Sequence, residues 1–222
     1  MPKFGFSAYL KLICLNDRPQ RTELKKRLQP SSNGYDFHKN LRFLAGRLLN
    51  EGKSLKEILS EAEHITKKAE REQTQQGLNA LDTWRAAHPG HLLYFEAVVY
   101  GSPLGEFKIH FEPTFGIEID GTPTAVHLWN TKKPELIPRF AHGALSLLKP
   151  LYAAMPRGPS DLAVLSLRDG QLHQLSRAVD HSHIGLAHVN QIEQTLAELR
   201  ESGDDGHVTV RRPPAPPPRP TV

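Results

Sequence analysis

Apolar residues recur at helical spacing through the first third of the chain, then switch to strict alternation. Asp17 to Pro30 reads as a short helix, with a proline two residues after Asp17 and Pro30 as its stop. After a turn over Ser31, Ser32, Asn33 and Gly34, Asp36 is the expected N-cap of the next helix. That helix carries Phe37, Leu41, Leu44 and Leu48, and Gly52 ends it. Ser54 and Glu57 have capping-box spacing, in which hydroxyl and carboxylate each satisfy a free backbone N–H. A more polar helix over roughly 67–87 reaches Trp84 and stops at His88-Pro89-Gly90.

Alternation then takes over. In EFKIHFE, Phe107, Ile109 and Phe111 face one way and Lys108, His110 and Glu112 the other. FGIEID sets Phe115, Ile117 and Ile119 against Glu118 and Asp120, and TAVHLW sets Val126 and Leu128 against His127 and Trp129. With LLYFEAVVY as a preceding strand, this predicts an antiparallel meander with one buried face. An odd first turn at Pro113 to Phe115 would set His110 opposite Glu118 and Lys108 opposite Asp120. A two-residue turn at Gly121-Thr122 would set Ala125 opposite Glu118 and His127 opposite Gly116. The outer face then collects Lys108, His110, Glu112, Glu118, Asp120, His127 and Trp129.

Beyond Pro134 a helix with Leu136, Phe140, Leu147 and Leu148 is expected up to Pro150. A strand over 161–167, an Asp169-Gly170 turn and a short partner strand follow. HSHIGLAHVN reads as a loop leading into a helix at about 188–201. The fold class expected from this order is α+β: N-terminal helices plus an antiparallel-to-mixed β-sheet with flanking helices. The chain divides into a helical region over 1–89, a β-meander domain over 90–203, and a proline-rich tail over 204–222. The tail is expected to be extended and disordered, and its Arg211, Arg212 and Arg219 also suit an aromatic groove on a partner protein.

Composition adds a charge asymmetry. Residues 1–68 carry fourteen Lys and Arg against seven Asp and Glu, whereas the remainder carries fourteen against seventeen. A polyanionic partner is expected on the amino-terminal side, with Arg21, Lys25, Lys26, Arg27, Lys39 and Arg42 as the nucleic-acid contacts. No apolar run approaches a membrane span, and the first residues lack a signal-peptide cleavage site, so a cytoplasmic protein is expected. The single cysteine, Cys14, excludes an internal disulfide and is expected to be a buried small hydrophobe. His181, His183 and His188, with His173 nearby, have loop-like metal spacing. Without Cys ligands or a helical His pair they read as uncommitted, and no metal ligands are assigned.

VHLWNTKKP, residues 126–134, poses the functional question, because an apolar strand turns polar at Asn130, Thr131, Lys132 and Lys133. On the outer face Trp129 would stack a base and the lysines meet phosphates; the opposing expectation is that a helix covers Trp129. A helix, a meander, a helix and a further strand over roughly 70–168 resemble, in element order, the core of the PD-(D/E)xK nuclease superfamily. The resemblance implies a metal-binding acid after a proline on the second strand, and an acid-x-Lys motif on the next. Here Pro113-Thr114 places threonine at the acid, with Glu112 just before, and His127-Leu128-Trp129 stands at the second motif, with Lys132 three residues on. A divergent Mg²⁺-dependent nuclease would have to use Glu112, Glu118, Asp120 and Lys132. The broken motifs favour a non-catalytic accessory protein without a cofactor, which binds nucleic acid through its basic helices. A protein–protein interaction module is the third expectation.

Overall fold

The computed structural model describes residues 1–29 and 36–204. The proline-rich tail and the Ser31–Gly34 turn therefore lie outside the described residues. In chain order the elements are β1 Lys3–Gly5, α1 Phe6–Ile13, α2 Asp17–Leu28, α3 Lys39–Asn50, α4 Leu55–Ala62 and α5 Lys68–Ala87. Then come β2 Leu92–Leu93, β3 Val98–Gly101, β4 Lys108–Phe111, β5 Phe115–Ile119, β6 Thr122–Trp129, α6 Pro138–Ala153, β7 Asp161–Ser166, β8 Leu172–Gln174 and α7 Ser182–Asp204. The fold is α+β, with two mixed sheets among the described residues.

α2 to α5 form close to where the sequence predicts, whereas β1 and α1 fall on a stretch for which no element is expected, and α6 continues through the expected stop at Pro150 to Ala153. The Ser54 capping box is complete: Ser54 Oγ accepts the Glu57 N–H and Glu57 Oε2 accepts the Ser54 N–H. His38, and not Asp36, occupies the N-cap of α3; the Asp36 carboxylate accepts the His38 N–H at 3.1 Å, an Asx turn that leads the chain into the helix. Leu41, Leu44, Ala45 and Leu48 then bury one stripe of α3.

The meander is not one sheet. β4 pairs with β3 and, in parallel, with β1 at the amino terminus, in the order β1-β4-β3. β5 pairs with β2 and β6, in the order β2-β5-β6-β7-β8. The expected His110–Glu118 and Lys108–Asp120 pairs therefore do not form. Residues 92–100 are likewise split between the sheets as β2 and β3, with Tyr94 between them 85% exposed. The β5–β6 hairpin turns at Asp120-Gly121, with Ile119 opposite Thr122, so Gly116, and not Glu118, faces Ala125. Asp120 and Gly121 have φ of 49° and 75°, the left-handed pair that a two-residue type I′ turn requires. A β-branched Thr122 in that conformation would be strained, which fixes the register.

β6 is covered on both faces. Ala125 and Trp129, with Leu162 and Val164 of β7, join one apolar cluster with Phe4, Tyr9, Phe107, Phe111, Leu148 and Ile192. Val126 and Leu128, with Ala163 and Leu165, join a second with Leu41, Ile58, Leu78 and Trp84. The cause is topological. β6 and β7 run parallel, and the α6 crossover that joins them belongs to the first cluster while α3, α4 and α5 supply the second. Both clusters mix residues from before and after residue 89, so packing does not divide the chain at that boundary.

α7 begins at Ser182, several residues ahead of the expected start. The Asp180 carboxylate accepts the Ser182 N–H at 2.8 Å and opens the helix. Gly185, within the stretch expected as a loop, is a packing requirement. A Cβ on Gly185 would lie 2.1 Å from the Gly143 carbonyl oxygen of α6. Gly185→Ala is expected to cost about 1–3 kcal/mol through overpacking, read as a lowered urea midpoint at unchanged m-value. Cys14, expected to be buried, is half-buried instead.

Candidate functional site

The polar end of β6 is built into the molecule. Trp129 is 1% exposed and His127 3%. Asn130 Nδ2 donates to the Gln73 carbonyl of α5 at 3.1 Å, and Thr131 Oγ1 lies 3.4 Å from His38 Nε2 at the start of α3. Asn40 of α3 donates to Glu70 of α5 at 2.8 Å. These bonds tie the strand exit to two helices. Lys132 and Lys133 remain exposed.

His127 projects toward α1, where Ser7 Oγ lies 2.7 Å from its Nε2. Phe6 and Phe111 flank the ring at centroid distances of 5.1 and 5.9 Å. Nδ1 makes no well-formed hydrogen bond among the described residues, although the Glu112 main chain lies close enough to favour the charged form slightly. Burial above all, then the Arg42 guanidinium, lower the imidazole pKa to about 3, so the ring is neutral at pH 7. Burial and Arg42 also depress the His38 pKa, against the pull of Asp36 and Glu70. A serine this close to a histidine has the spacing of an activated nucleophile. Here the imidazole is a very weak base, enclosed by aromatic rings, so the pair serves as a polar latch between α1 and β6. Ser7 and His127 are 120 positions apart, and no local signal connects them.

The four residues a nuclease reading requires do not converge. Glu118 faces Pro123 and Asp120 sits in the hairpin turn, where it pairs with Arg177. Thr114 instead bonds to Val126 through its N–H, which puts Glu112 toward the other end of β6. Lys132 follows Trp129 at that same end. Six residues separate Pro123 from Trp129, about 20 Å of strand. Among the described residues no three His, Cys, Asp or Glu side chains are placed to share a metal ion. The positions of the broken motifs do meet: Thr114 Oγ1 lies 3.4 Å from the Leu128 nitrogen, beside His127. The chemistry there is a hydroxyl and a neutral imidazole.

No protein-family model matches the chain, and no curated protein matches it significantly.

The basic residues separate into two groups. Gln20, Leu24 and Leu28 turn one side of α2 inward, which leaves Arg18, Arg21, Lys25 and Lys26 together on its exposed face. Arg18, Arg21, Thr22 and Lys25, together with the acidic Asp17, line a groove of about 580 Å³ against Leu199 and Ser202 of α7. Arg21 pairs with Glu198 at 2.6 Å and Lys26 with Glu23 at 2.8 Å, both in exposed positions. Arg18 and Lys25 have no ion pair among the described residues. Arg27 turns away, its guanidinium 5.5 Å from the Phe4 ring centre. Lys39 and Arg42 lie on α3, which packs into the other apolar cluster, and Arg42 is paired with Asp36.

Proposed function

We propose that this chain is a non-catalytic accessory protein that binds nucleic acid through the exposed face of α2. The observation that carries the reading is the convergence of Arg18, Arg21, Lys25 and Lys26 on one solvent-facing side of a helix. Surface ion pairs such as Arg21–Glu198 are worth little, so a phosphate readily exchanges for the carboxylate. A row of cations on a smooth helix favours backbone contacts over base readout. The dispersal of Glu112, Glu118, Asp120 and Lys132 weighs against the nuclease alternative, and Thr114 and His127 at the motif positions suit a non-cleaving relative of the PD-(D/E)xK nucleases.

The test is fluorescence anisotropy of labelled single- and double-stranded DNA and RNA in EDTA across a salt series. Binding is expected to weaken steeply with salt. An Arg18→Glu/Lys25→Glu variant is expected to bind at least about tenfold more weakly near 50 mM salt, with a log–log slope on duplex DNA shallower by about 2. No binding by the unmodified chain at low salt would eliminate the reading and turn the search to protein partners. Cleavage on adding Mg²⁺ or Mn²⁺ would establish the nuclease alternative.

A further inference from the structure

The three-stranded sheet β1-β4-β3 buries Phe4, Ile109, Phe111 and Val98 on one face and leaves the other open. On the open face Lys3 stands beside Lys108, its partner in the parallel β1–β4 ladder, and Gly101 of β3 stands on the other side of Lys108. One row of positions across the sheet thus reads Lys3, Lys108, Gly101. Lys3 and Gly101 are exposed and Lys108 is half-buried. Adjacent strands lie about 4.8 Å apart, and like charges set side by side at that spacing are destabilising. Neither lysine has an ion pair among the described residues.

The two carboxylates that flank β4 do not answer the lysines. Glu106, two residues before Lys108, is taken up by Arg200 of α7. Glu112 lies four residues beyond Lys108, about 13 Å along the extended chain. Gly101 is unexplained by conformation or packing: its φ is not positive, and a Cβ built on it would meet nothing within 4 Å. Glycine weakens a strand, and it marks places where a ligand comes close to the backbone. Gly5, beside His110 in the next row, is the N-cap of α1 and needs no such explanation.

Two unanswered cations beside an open glycine suit a phosphate. The last turn of α2 adjoins this sheet, since the Arg27 guanidinium lies 5.5 Å from the ring centre of Phe4 in β1. We propose that the Lys3–Lys108–Gly101 row is a second phosphodiester contact, which takes a nucleic-acid backbone from the basic face of α2 onto the β1-β4-β3 sheet. The proposal rests on the nucleic-acid reading of α2 and names a second place that holds the same ligand. The two ammonium groups meet the phosphate oxygens, and the missing side chain at position 101 lets the ligand backbone lie close to the sheet.

Fluorescence anisotropy of labelled duplex DNA in EDTA, with urea denaturation of each variant, tests it. Lys3→Glu turns the repelling pair into an attracting one. Its urea midpoint is expected to rise while its affinity near 50 mM salt falls at least about tenfold. Lys56→Glu makes the same change of charge at an exposed position of α4 and is expected to cost less than about threefold. Gly101→Leu changes no charge and is expected to weaken binding at least about threefold without lowering the urea midpoint. Equal losses in Lys3→Glu and Lys56→Glu, or full affinity in Gly101→Leu, overturn the second contact. The α2 reading then still stands if Arg18→Glu/Lys25→Glu weakens binding. A midpoint that does not rise in Lys3→Glu means that the lysines do not repel, and overturns the second contact as well. No binding by the unmodified chain at low salt overturns both.

Discussion

Replacing Trp129 with alanine is expected to remove about 3–5 kcal/mol of stability, the cost of deleting a large buried aromatic side chain. The ring is 1% exposed and belongs to the cluster that includes Phe111, Leu148, Leu162 and Val164. Marginal domains hold about 5–15 kcal/mol in total, so the variant sits near the edge of folding. Urea denaturation measures the effect. With an m-value of about 2 kcal/mol/M the midpoint falls by roughly 2 M. A loss below about 1 kcal/mol would mean that the ring lies on the surface, where it would be free to stack on a base. The experiment thus separates the two expectations that VHLWNTKKP raised.

Acidification is expected to destabilise the protein through His127. Its folded pKa is lowered to about 3, whereas in the unfolded chain it titrates near 6.5. Between those values the unfolded state binds the extra proton, so stability falls as pH falls below about 6.5 and is unaffected by this group above it. The expected slope is about 1.4 kcal/mol per pH unit until the ring itself protonates near pH 3. Over the two to three units down to pH 4 the loss approaches that of the tryptophan deletion. Burial also lowers the pKa of His38, His142, His173 and His188, so they too take up protons more readily in the unfolded chain. The decisive quantity is therefore the difference between the unmodified chain and His127→Gln. The variant is expected to be less stable at pH 7, because it loses the 2.7 Å contact with Ser7, yet to show a slope shallower by about 1.4 kcal/mol per unit. Equal slopes would mean that the native state takes up the proton at His127 as readily as the unfolded chain.

Helix signals were legible because they are local. The Ser54–Glu57 box and the Leu41, Leu44 and Leu48 stripe each depend on residues within one or two turns of chain. Alternation likewise marked β4, β5 and β6. The start of α7 was obscured because Gly185 and the histidines around it look like loop chemistry, whereas the glycine answers to Gly143 on another helix. Of the candidate site, the basic face of α2 was visible in the spacing of Arg21, Lys25 and Lys26. The Ser7–His127 latch was not, since nothing near either residue names the other.

The amino-acid sequence by itself determined the α+β class, most of the helices and strands from α2 onward, and the amino-terminal excess of positive charge, but not β1 and α1. Only the tertiary structure decided which strands pair and which faces of them meet water. Period-2 alternation separates the two faces of a strand but cannot say whether a second layer covers the polar one. β1 reached β4 across a hundred residues, and the α6 crossover set β7 beside β6. Those non-local pairings broke the meander in two and put helices on both faces of β6. His127 and Trp129 therefore entered the interior, and Glu118 and Asp120 were left at the far end of the strand from Lys132.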